Sequence, residues 1–90
     1  GYYYNAVAQY NLRNYEKALK SALRAMELDP GHTVPLAEQL LGLLYSMQGD
    51  YKSAAQYYRA YIEHVPPTTN VDAIKARLAE AEAKIGQSGK

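Results

Sequence analysis

The sequence predicts an all-α protein built from stacked helical hairpins, and three observations carry that prediction. First, the chain nearly repeats itself. Asn14-Tyr15-Glu16-Lys17-Ala18 returns as Asp50-Tyr51-Lys52-Ser53-Ala54, and Pro30 as Pro66, each 36 residues on. A period of about 20–50 residues marks supersecondary units that bury their apolar faces against one another. Second, apolar residues recur at helical spacing along most of the chain. Third, no segment alternates apolar and polar residues with period two, so no strands are expected.

Taken in order, Tyr2 to Leu12 reads as a first helix, with Ala6, Val7 and Tyr10 at helical spacing. Arg13-Asn14 breaks it, and Asn14 is a competent N-cap for a second helix over Tyr15–Leu28. That helix carries Ala18, Leu19, Ala22, Leu23, Ala25 and Met26 on one apolar face. Asp29-Pro30-Gly31-His32 stops it, with Gly31 expected at the sharp reversal. A third helix is expected to start near Thr33, with Pro35 tolerated in its first turn, and to run to about Gln48. Gly49-Asp50 turns and caps into a fourth, Tyr51–His64, which Val65-Pro66-Pro67 ends. Asn70 caps a last helix with a narrow apolar stripe of Val71, Ile74, Leu78, Ala81 and Ile85 among charged residues. Gly86 stands where a C′ glycine is expected, and Gln87–Lys90 reads as a tail. A polar-backed terminal helix suits the end of a stacked array, whose last hydrophobic face needs cover.

Composition excludes several function classes. Ten Lys/Arg against nine Asp/Glu give a formal charge of +1 with interspersed signs, which is no electrostatic footprint for nucleic acid or an anionic membrane. The absence of Cys removes disulfide and thiolate chemistry and leaves the compartment undetermined. No apolar run approaches the ~18–20 residues of a membrane span. Gly1 reads as a cloning remnant, and the chain as a piece of a longer protein.

The second unit resembles a tetratricopeptide repeat (TPR). Leu41-Gly42, Tyr45, Gly49, Asp50-Tyr51, Ala54, Tyr58 and Pro66 fall at the family's intervals; the leading aromatic alone is missing, replaced by Glu38. The first unit is in register but departs more: Tyr2, Ala6, Tyr15, Ala18, Ala25 and Pro30 match. Asn5, Gln9, Arg13 and Ala22 stand where the pattern has Leu, Tyr, Gly and an aromatic. The spacing of 36 exceeds the family's usual ~34 by two, most simply placed in the Gly31–Pro35 connection. The resemblance implies a right-handed α-solenoid of antiparallel helix pairs, divided as repeat one (1–32), repeat two (33–67), a capping helix (68–86) and a tail (87–90). It also implies that Gly42, Ala6, Ala18 and Ala54 sit where paired helices approach closely, and that Tyr15 and Tyr51 fill the gaps between units. Tyr61 stands where the first unit has Ala25, and is expected to meet Ile74 and Leu78 of the last helix.

In the family the first helices of successive pairs line a concave groove for a peptide or a partner's helix. Carried over by register, the groove here is Tyr3, Val7, Tyr10 and Asn11 from the first unit and Leu36, Gln39, Leu43, Ser46 and Met47 from the second. This lining is apolar and aromatic with a few amides. It lacks the Lys, Arg and Asn cluster with which some relatives clamp a C-terminal carboxylate, so it favours an apolar or amphipathic segment. Val7, Leu36 and Leu43 read more readily as packing residues than as ligand contacts. In Tyr2-Tyr3-Tyr4, consecutive helical residues face different ways, so the three rings cannot share one core. They read as a face for a preceding repeat, or as a surface for self-association if bare. His32 and His64, near turns and with no Cys or His-x₃-His partner, read as surface or helix-end residues, and no metal or cofactor is expected. Neither a phosphate loop nor a nucleophile–base pair stands out, and no catalytic residue is expected. The expected function is a non-catalytic protein–protein interaction module for a peptide or protein partner. The alternatives are an end piece of a longer solenoid and, less favoured by the neutral charge, an RNA-binding helical array.

Overall fold

The computed structural model describes residues 1–88, and among these the helices are α1 (Tyr2–Asn11), α2 (Tyr15–Glu27), α3 (Pro35–Met47), α4 (Tyr51–His64) and α5 (Asp72–Ser88). There is no strand among the described residues. Substantial packing runs between successive helices: α1 on α2, α2 on α3, α3 on α4 and α4 on α5. The connections between α1 and α2 and between α3 and α4 take three residues each, which folds each pair into an antiparallel hairpin.

Both short connections use the same backbone device. Gly49 has φ 80°, a left-handed conformation that glycine adopts without steric cost. Arg13, 36 residues earlier, has φ 63°. The turn therefore keeps its shape in the first pair although a side chain is present, at a cost of about 1 kcal/mol. Asp50 caps α4, accepting from the Ser53 backbone N–H at 3.2 Å and the Ser53 hydroxyl at 2.8 Å. Asn14 holds the equivalent position before α2 but makes no side-chain cap; its Nδ2 donates to Gln9 Oε1 at 3.0 Å.

α3 and α4 approach closely at Gly42. A Cβ placed on Gly42 would lie 2.5–2.9 Å from three atoms of the Tyr58 ring, and Tyr58 is itself 1% exposed. Glycine in a helix interior costs about 1 kcal/mol relative to Ala, whereas burying a large side chain contributes about 1.5–3 kcal/mol, so the exchange favours the close approach. The first pair solves the same contact differently. Its equivalents of Gly42 and Tyr58 are Ala6 and Ala22, both fully buried in one cluster with Ala18, Leu41 and Leu44. That cluster spans α1, α2 and α3 and joins the two hairpins. A second one joins Ala54, Ala55, Tyr58 and Tyr61 of α4 to Ile74 and Ala81 of α5, with Leu78 packed against it. Tyr61 thus shares its core with Ile74 and Leu78, as its exchange for Ala25 implied.

Three sequence expectations at element ends are corrected. The third helix starts at Pro35 rather than Thr33. Asp29 takes the Thr33 N–H (3.0 Å), the Thr33 hydroxyl (2.7 Å) and the Val34 N–H (2.9 Å), and a residue preceding proline is disfavoured in the α region. In the same loop the left-handed residue is His32 (φ 52°), not Gly31. Gly86 does not end the last helix, which continues to Ser88. Glycine permits a left-handed stop but does not impose one, and Gly86 has no positive φ. Of the tail, Gln87 and Ser88 belong to α5, and the remaining two residues lie outside the described ones.

Two substitutions test this account by chemical and thermal denaturation. Gly42→Ala is expected to destabilise the fold by about 1–3 kcal/mol, because the enclosed Tyr58 ring cannot retreat from the new methyl group; a Tm equal to wild type would contradict the close contact. Arg13→Gly is expected to stabilise it by up to about 1 kcal/mol, the left-handed strain relieved less the added freedom of the unfolded chain.

Candidate functional site

Two constellations stand out. The first is a concave cleft. Tyr3 and Val7 lie one turn apart on α1, and on α3 Gln39 and Leu40 each stand three or four residues from both Leu36 and Leu43, so each set presents one face. These six residues, with Tyr58 of α4 and Arg77 of α5, line a cavity of about 240 Å³. The wall is apolar with one amide and one guanidinium. Burial, and secondarily the neighbouring Tyr4 phenol, push the Tyr3 hydroxyl above the ordinary tyrosine range, so it presents a neutral hydrogen-bonding group. A cavity of this size accommodates one or two side chains rather than a drug-sized molecule, whose pockets run to about 300–1,000 Å³.

Of the nine residues assigned to a groove from sequence, Tyr3, Val7, Leu36, Gln39 and Leu43 line this cleft. Tyr10, Asn11, Ser46 and Met47 belong to the C-terminal ends of α1 and α3 and are not in its lining. The Tyr10 ring packs against Tyr15 at 5.7 Å and borders the cluster joining the hairpins, whereas Met47 is 47% exposed. Sequence reasoning missed Leu40, Tyr58 and, chiefly, Arg77. α5, read from sequence as a cap, supplies this one cation to the lining. In the tyrosine run, Tyr3 turns into the cleft while Tyr2 and Tyr4 are exposed. Tyr2, Tyr3 and Tyr4 also border a second, shallower concavity of about 520 Å³ with Ala25, Leu28 and Leu36.

The second constellation was absent from the sequence reading altogether. Glu38, in the slot where the repeat pattern has an aromatic, is 1% exposed. Its carboxylate accepts from His64 Nδ1, which lies 2.9 Å from Oε1 and 3.0 Å from Oε2. His32 Nδ1 is 3.7 Å from Oε2, and the His32 and His64 rings stack 4.0 Å apart at 13°. The two histidines are therefore not independent surface residues: they converge on one buried carboxylate. Their convergence has an identifiable cause. His64 is the last residue of α4, beside the start of α3, and His32 is carried in by its left-handed backbone and the Asp29 loop. The signal available in the sequence was a carboxylate in a slot reserved for a buried ring, which demands partners.

Fold and cleft together define a helical-repeat protein with a shallow concave face. Residues 1–32 match the family model described as Tetratricopeptide repeat, and the five helices among the described residues are consistent with a TPR-type repeat. The match falls on the hairpin with more departures from the pattern, and those departures are locally compensated. Ser21 donates to Asn5 Oδ1 at 2.5 Å, Asn14 to Gln9, and Ala22 faces a cluster shared with Ala6. No curated protein matches the chain. Tetratricopeptide repeats generally mediate protein–protein interaction. No helix among the described residues is long and apolar enough to cross a membrane.

The Asp29 loop yields a pH test. Hydrogen bonds from the Thr33 side chain, and then from the Thr33 backbone N–H, hold the Asp29 carboxyl below its ordinary value of 3.8. A carboxyl lowered in the folded state contributes stability that is present above its unfolded value and lost as pH falls through the folded one. Asp29→Ala is thus expected to melt below wild type at neutral pH, with the gap narrowing as pH drops below about 3.8; a gap constant from pH 7 to pH 2.5 would contradict it.

Proposed function

We propose that the chain is a non-catalytic docking module that takes an apolar or amphipathic segment of a partner protein into the cleft between α1 and α3. The observation that carries this reading is the cleft's composition: residues from two successive hairpins present apolar walls to solvent, and a single guanidinium stands at one side. Leu36 is 51% exposed beside the concavity, where a partner's apolar group would cover it. Arg77 extends the reading beyond apolar burial, since a segment carrying Asp or Glu near its anchoring side chain would meet it with a charge-assisted hydrogen bond. The remaining predicted groove residues, Tyr10, Asn11, Ser46 and Met47, fit a longer segment running toward the C-terminal ends of α1 and α3. In the same reading 1–32 and 33–67 are the two repeats and α5 covers the end of the stack, with Ile74 and Ala81 inward. Lys75, Glu80 and Glu82 of α5 are exposed.

Selection of peptides from a random displayed library against the purified protein tests the reading. Enriched peptides are expected to combine a large apolar residue with a nearby acidic one. Leu36→Asp is expected to weaken their binding at least about tenfold, equivalent to roughly 1.4 kcal/mol, without altering the helical circular dichroism. Arg77→Ala should weaken the acidic peptides and reduce the salt dependence of binding. Selected peptides that bind Leu36→Asp and wild type equally would place the docking surface elsewhere.

A further inference from the structure

The cluster of His32, Glu38 and His64 has a geometry that the docking reading does not use. Each of the three residues offers a ligand atom, two imidazole nitrogens and a carboxylate oxygen, and these atoms all lie within 4.8 Å of one another. The carboxylate is fully enclosed, at 1% exposure. His32 Nδ1 is also enclosed, is aimed at that carboxylate, and has no hydrogen-bond partner. A buried, unpaired nitrogen beside a buried carboxylate is an unfinished arrangement, because each such atom has lost water and not regained a full partner. The two histidines face the carboxylate from different elements, one in the loop before α3 and one at the end of α4.

We propose that these three side chains form a binding site for Zn²⁺ or a neighbouring first-row divalent ion, which pins the loop between the hairpins to both helices of the second one. Two imidazoles and one carboxylate form a donor set suited to such ions, with bonds of about 2.0–2.2 Å. Bonds of that length at tetrahedral angles put ligand atoms about 3.3–3.5 Å apart. His64 Nδ1 and the Glu38 oxygens are already closer than that and need only open slightly. His32 Nδ1, at 3.7 Å from Oε2, needs only to close, and its ring can move because its side chain is 40% exposed. The ion takes the place facing His64 Nδ1, and the neutral His64 ring then carries its single hydrogen on Nε2. Three protein donors leave a coordination position for water on the exposed side of His32. The position of His64 at the C-terminal end of α4 adds the negative end of a helix dipole to the site.

The test is metal titration of chelator-stripped protein with Zn²⁺, with Mg²⁺ as the hard-cation comparison and Co²⁺ as the spectroscopic probe. One Zn²⁺ per chain is expected by calorimetry, with a rise in Tm of more than about 5 °C at saturation. Co²⁺ should develop visible d–d absorption that Zn²⁺ then displaces. His32→Ala, at a side chain open enough to truncate without disturbing the fold, should abolish the Tm rise and the Co²⁺ spectrum while helical circular dichroism stays at the wild-type level. His64→Ala should also abolish the Tm rise and the Co²⁺ spectrum, from a lower starting Tm because it leaves the buried Glu38 carboxylate without its hydrogen-bond donor. No Zn²⁺-dependent rise in wild type would overturn the site. So would a rise of equal size with Mg²⁺, which prefers oxygen donors, or one that survives in the His32→Ala/His64→Ala double variant.

Discussion

The contact between Gly42 and Tyr58 sets the spacing on which the rest of the molecule is built. With no Cβ at Gly42, the Tyr58 ring lies against the α3 backbone, and the two helices approach more closely than any larger pair of residues would allow. That closeness places Leu41 and Leu44 toward α1 and α2 and leaves Tyr61 turned toward α5. One contact therefore orders the layers on both sides of the second hairpin. The first hairpin fills the equivalent slots with two small residues, Ala6 and Ala22, both fully buried, in place of a glycine and a large ring.

The same logic governs the other departures from strict repetition. A stacked array requires each slot to be filled and each buried polar group to be paired, but it does not require the same residue in each unit. Asn5 with Ser21 and Gln9 with Asn14 make polar contacts across the first hairpin, where the second carries Leu41 and Tyr45. Glu38 is the most demanding exchange. Burying a carboxylate costs several kcal/mol unless it is partnered, and the chain supplies two histidines from outside α3 to face it. What looks in one repeat like an isolated substitution is, in space, one member of a group that joins both.

The concave face is a consequence of the stacking rather than of any single motif. α1 and α3 lie on the same side because each is the first helix of its hairpin, and their outward residues border the same hollow. α5 completes that hollow by lending Arg77, so the terminal helix has a place in the surface as well as in closing the core. The lining offers apolar walls, an amide, two phenols and one cation.

Much of the helix order was legible in the sequence, because periodic apolar residues, the 36-residue echo and turn chemistry act locally. So was the role of Gly42, since a glycine within a strongly helical pattern is informative about close approach. Helix ends were less legible: whether Thr33 starts a helix depends on Asp29 claiming its N–H, and Gly86 stops nothing because nothing requires a reversal there. The cleft was half legible, Tyr3, Val7, Leu36, Gln39 and Leu43 by register, but not Arg77, whose position depends on how α5 crosses α4. By itself the sequence determined the helices, their pairing and the close contact at Gly42, since those follow from period and side-chain size over short distances along the chain. Only the tertiary structure decided that His32, Glu38 and His64 meet, because the convergence of residues 26 and 32 positions apart depends on the packing angle between elements, which no local pattern encodes.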